Sequence, residues 1–213
     1  MVIETRICVA LACVVAMLAC GGSSTQTGGG AGGMGGTGGT GGSGASGGTA
    51  GSGGSGLVAP AAQGGLAINV SPVSGGNCAI APHDAQIGTN PPSQNNPGDR
   101  VIDGQDGASV GCQVVYPTPG TVSGSLEHGS MSFHVTGDVG ATGGTAHISE
   151  YDPQNATTLQ GDCTLSIIPP QEIAAGRIWA SFACEAFSDP AQPTGTSCSA
   201  SGTFVFENCS AAP

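Results

Sequence analysis

No lysine occurs anywhere in the 213 residues, arginine occurs only as Arg6, Arg100 and Arg177, and charged side chains of every kind make up 8% of the chain. Globular proteins ordinarily carry about 25%. Without lysine there is no phosphate loop of the Gly-x-x-x-x-Gly-Lys type. A formal net charge of −11 repels phosphate backbones, which excludes nucleic acid as a partner. Long apolar runs are also missing: the longest, residues 7–19, falls short of the roughly 20 residues that a membrane-crossing helix needs. Aromatic residues are sparse, with a single tryptophan, Trp179.

What is present in excess is glycine, 40 residues in all. About half of it lies in residues 21–56, a block without a charged side chain, built from Gly-Gly-Thr and Gly-Gly-Ser repeats. Glycine has no side chain to bury and the most backbone entropy to lose, so this block is expected to be a disordered tether. As a flexible coil it spans about 30–36 Å and, fully stretched, roughly 120 Å. The chain therefore divides into 1–19, a leader; 20–56, the tether; and 57–213, long enough for one domain with one core.

The leader places Arg6 before the apolar run, which stops at Met17-Leu18-Ala19-Cys20-Gly21. These residues resemble the lipobox of bacterial lipoproteins, although Met17 stands where leucine is commonest. The resemblance implies cleavage before Cys20 and its lipidation by thioether-linked acyl chains plus an amide-linked one, palmitate included, giving stable anchoring without a membrane span. Gly21, which is not aspartate, implies the outer membrane. Lipobox, glycine-rich tether and cysteine-bearing end together look like the surface or periplasmic lipoproteins of myxobacteria; that resemblance implies placement and no activity.

From Gly65 onward the apolar period is two. Leu66, Ile68 and Val70 alternate with small or polar residues, as do Val110 to Tyr116, Met131 to Val135, Cys163 to Ile167, Ile178 to Cys184, and Phe204 and Phe206. Each pattern predicts a half-buried antiparallel strand, and no window carries a helical stripe. About eight such strands, each with one apolar face, predict an all-β domain, an antiparallel two-sheet β-sandwich or jelly roll. Residues 83–100, rich in proline, are expected to be a long surface loop.

Six cysteines follow Cys20: Cys78, Cys112, Cys163, Cys184, Cys198 and Cys209. An even number in an exported domain reads as three disulfides. If the segment from Cys198 to 207 is one strand, Cys198 and Cys209 lie about 36 Å apart and cannot pair. Cys184 is expected to join Cys163 or Cys198, and Cys209 to reach Cys78 or Cys112. The absence of a Cys-x-x-Cys pair argues against structural zinc.

Four groups bear on chemistry. His134 and His147 fall on polar parities, and a hairpin around Gly140 would set them opposite each other, with Glu127 and His128 at one end; the plain reading is an exposed sheet face. Asp99, Asp103 and Asp106 are calcium candidates, although their spacing departs from the EF-hand and Asp-Gly is first of all a turn signal. Glu150 and Asp152 share one strand face, but Pro153 follows and no third acid completes a glucanase-like set. Trp179 is the candidate ligand-stacking ring, unless a loop or a second layer covers it. With the domain cysteines oxidised there is no evident nucleophile, and no catalytic residue set is assigned. The sequence thus points to a non-enzymatic module that binds a glycan or a protein through residues 83–107. The alternative is a structural envelope component with no dedicated ligand.

Overall fold

The computed structural model describes residues 59–73, 78, 80–192 and 197–211. The leader and tether, with Cys20, lie outside the described residues. Within them every regular element is a strand: β1 (Gln63–Pro72), β2 (His83–Ile87), β3 (Val101–Ile102), β4 (Ser109–Val115), β5 (Thr121–His128), β6 (Met131–Gly140), β7 (Gly143–Asp152), β8 (Thr157–Ser166), β9 (Glu172–Ala174), β10 (Arg177–Phe187) and β11 (Cys198–Glu207). The all-β expectation holds. Its two-sheet form is replaced by one curled antiparallel sheet in the order β2-β1-β11-β10-β8-β7-β6-β5-β4, with β3 on β1 and β9 on β10. The ladder stays continuous because Ser181, Phe182 and Ala183 of β10 pair with Ser166, Leu165 and Thr164 of β8. Alternation within strands fixes which face is buried, but it carries no information on where a ladder breaks.

The curl brings the two arms of the sheet face to face. Phe133 of β6 meets Phe182 of β10 and Phe204 of β11, and Phe204 meets Phe182 and Phe206, with ring centroids 5.8 to 6.2 Å apart. Phe206 lies so close to β5 that a Cβ on Gly124 would come within 2.7 Å of its ring. Glycine at 124 is what allows this approach. Around the rings pack Leu66, Ile68, Val70, Val114, Leu126, Ile148 and Leu159, all buried. These are the inward positions of the period-two pattern. One bulge interrupts it: β10 advances three residues, Cys184 to Phe187, where β11 advances two, Ala200 to Cys198. The extra residue turns Phe187 inward, although simple alternation from Cys184 would point it out.

Three disulfides staple the sheet: Cys78–Cys198, Cys112–Cys209 and Cys163–Cys184. Cys184 thus takes Cys163, and Cys209 takes Cys112. The latter bridge stands beside a backbone closure, where Ser210 donates to the Cys112 carbonyl and accepts from the Val114 amide. The chain after β11 therefore covers part of edge strand β4, which would otherwise offer unpaired backbone groups. Three disulfides are the chemistry of an oxidising, extracytoplasmic compartment.

Residues 83–100 are not one loop. The first five form β2, and the remainder folds back over the outer face of β1, β11 and β10. There the Asp99 carbonyl and Pro92 lie against Gly65, and Trp179 of β10 donates its indole N–H to the Ser93 carbonyl at 3.0 Å. Trp179 is 7% exposed. Its outward parity is as expected, but the segment around Ser93 covers the ring, so it has no free face for stacking.

Candidate functional site

Two places gather polar side chains. The first is an open groove of about 570 Å³ at the sheet edge, lined by Gln86 and Thr89 from β2 and the turn after it, Asp99, Arg100, Gln105 and Asp106 from the segment around β3, and His128 from the end of β5. Backbone turns set these groups in place. Gly88 and Gly98 adopt φ of 108° and 69°, and Gly104 and Gly107 adopt 75° and 76°, values an L side chain rarely takes. Arg100 is held by Glu207 at 2.7 Å and reaches the Gly98 carbonyl at 3.3 Å. Asp99 accepts from the Thr89 hydroxyl at 2.9 Å. Gln86, Gln105 and Asp106 are exposed. A second, shallower depression, also lined by Gln86, continues along β2 past Asp84 and Asn69 toward Ser201. The two depressions share Gln86 and set amides, hydroxyls and carboxylates among apolar lining atoms along β2.

The second place is buried. His83, at the start of β2, faces β7 across the core, with Nε2 3.6 Å from Glu150 Oε1 and 3.6 Å from Asp152 Oδ2. The three side chains are 6%, 0% and 2% exposed. Strand alternation turns Glu150 and Asp152 inward with Ile148, and Glu150 lies between Phe133 of β6 and Leu159 of β8. Asp152 is satisfied locally: it accepts from the Gln154 amide at 2.7 Å and from the Asn155 side chain. Glu150 is not, since neither carboxyl oxygen has a hydrogen-bond partner, and His83 Nε2 has none either. Burial pushes the Glu150 carboxyl above its usual range; His83 pulls it down and the Asp152 charge pushes it up.

The sequence reading found both carboxylates on one face and passed over His83, whose only signal was its place in the triplet of alternate residues His83, Ala85 and Ile87. His134 and His147 are not opposite each other. The β6–β7 register pairs His134 with Ser149 and Thr136 with His147, because the hairpin turns over Ala141 and Thr142 rather than at Gly140. His147 instead meets Asp162 of β8 at 2.9 Å on the exposed face. The three aspartates of the calcium reading are spent separately: Asp99 on Thr89, Asp103 on the Val110 amide at 2.9 Å, while Asp106 sits in the turn at φ 49°. Among the described residues no group of three or more His, Cys, Asp or Glu is gathered as a metal-ligand set. A Gly-x-Ser-x-Gly spacing occurs at Gly107 to Gly111, but Ser109 opens strand β4 with no helix behind it, so the spacing makes no nucleophile elbow.

No protein-family model, curated protein or solved structure matches this chain. Nothing in the comparisons points to catalysis.

Proposed function

We propose that the protein is a lipid-anchored binding module of the outer membrane, acylated at Cys20, which displays its disulfide-stapled β domain on the 21–56 tether and takes a glycan in the cleft along β2. The observation that carries the glycan reading is the cleft itself. Much of its lining comes from the 83–107 region, joined by His128, Asn69 and Ser201, and it carries groups that pair with sugar hydroxyls: the amides of Gln86 and Gln105 both donate and accept, and the Asp99 and Asp106 carboxylates accept. The three disulfides support export. A structural envelope role would suit the polar, shallow outer faces of β5 to β8, but it gives the cleft no purpose. A glycan array probed with the full chain in detergent tests the reading. Retention of a hydroxyl-rich oligosaccharide, weakened by Gln86→Ala and Asp106→Ala, is expected; retention of none refutes it. Mass spectrometry of the N-terminal peptide tests the anchor, with Cys20 carrying thioether-linked acyl chains and an amide-linked one as the expected species.

A further inference from the structure

His83, Glu150 and Asp152 present a problem of protons. The His83 Nδ1 atom lies 3.2 Å from the Ala81 carbonyl, which can only accept, so Nδ1 carries hydrogen. In a neutral ring Nε2 is then a lone pair, and it faces two carboxyl groups across 3.6 Å with water excluded. The unpartnered Nε2 lone pair and Glu150 oxygens, beside the Asp152 carboxylate, cannot share a buried space without a positive charge or a hydrogen between them. We propose that the cluster is a proton-operated latch: a proton held among His83, Glu150 and Asp152 ties edge strand β2 to β7, and its loss as pH rises loosens β2 and the Gln86 wall of the cleft.

Among the described residues nothing else around the cluster does this. On β2, Asp84 turns to the outer face and accepts from Asn69 at 2.8 Å. On β8, Asp162 is outside with His147, and the inward residue beside Glu150 is Leu159. Asp189, near the end of the sheet, is held by the Thr157 hydroxyl. β1, β6 and β11 contribute Val70, Phe133 and Ala200. His83 and Asp152 are the charged groups that act on Glu150. β2 is also the element such a latch can move, since it ends the sheet and its partner within the sheet is β1. The latch does not depend on what fills the cleft.

Amide hydrogen exchange on the full chain between pH 5 and pH 8 tests it. After correction for the intrinsic rate, β2 amides are expected to exchange at least about tenfold faster at the higher pH, tenfold being one unit of proton linkage, while β6 amides stay unchanged. Glu150→Gln, which cannot lose a proton, is expected to abolish the change. An unchanged wild-type β2 rate overturns the proposal whether or not the variant folds, and so does the same acceleration in a folded Glu150→Gln. Stoichiometric zinc binding that keeps β2 protected at pH 8 overturns it in favour of a cation.

Discussion

Removing the Cys112–Cys209 bridge by the paired change Cys112→Ser and Cys209→Ser should cost about 4 kcal/mol. The two cysteines are 97 residues apart in sequence, but the intact chain offers a shorter covalent route through the Cys78–Cys198 bridge, about 45 residues long. It is that route whose closure entropy the third bridge removes from the unfolded state. The native geometry is otherwise supported, because the Ser210 bonds to Cys112 and Val114 remain available to hold the closure over β4. Cys163–Cys184 spans 21 residues and should be worth less, about 3 kcal/mol. Urea denaturation of the two double variants reads both values. With an m-value of about 2 kcal/mol/M, loss of Cys112–Cys209 moves the midpoint by about 2 M. A loss below about 1 kcal/mol, or a larger loss for Cys163–Cys184, would refute the loop-entropy reasoning.

Because the Glu150 carboxyl is held above its ordinary range, the folded chain binds a proton that the unfolded chain has already released, so stability should fall as pH rises from the ordinary value of 4.5 through the raised one. Glu150→Gln should flatten that slope in thermal melts; an identical slope contradicts the assignment. Asp189 shows the opposite sign: the Thr157 hydroxyl, and then the Ala191 amide, hold it below its ordinary range, so its contribution is lost as pH falls through the lowered value. Thr157→Val should move the Asp189 titration up when followed by carbon-detected NMR, and an unmoved titration would count against the bond. Gly124→Ala puts a methyl 2.7 Å from the Phe206 ring, inside van der Waals contact, and should cost about 1–3 kcal/mol in denaturant unfolding; a neutral result would mean the arms of the sheet are further apart.

The strands that alternate large apolar residues with small polar ones were legible because each inward position carried a side chain worth burying: Leu66, Ile68 and Val70 in β1, Phe204 and Phe206 in β11. β2 was not, because its inward residues are His83, Ala85 and Ile87, and a buried histidine looks the same in sequence as an exposed one. For the same reason Glu150 and Asp152 could be set on one face but not given a partner. Two glycines in succession, Gly143 and Gly144, left the β6–β7 turn free to sit one residue beyond Gly140, and that shift moved the partner of His147 by two. The single curled sheet rests on the β8–β10 pairing, which alternation does not encode. Trp179 has the parity read from its neighbours, but its cover comes from Ser93, 86 residues away in sequence.

Equilibrium binding of array-selected oligosaccharide to the full chain, compared with the Gln86→Ala, Asp106→Ala double variant, tests the central claim most directly. Both side chains are exposed, so the variant should stay folded, its denaturant midpoint lowered only by the roughly 1–2 kcal/mol cost of alanine at the positive φ of residue 106. The cleft reading predicts at least about a tenfold loss of affinity, which is about 1.4 kcal/mol. Equal affinity in parent and variant would place the ligand elsewhere on the domain and contradict it.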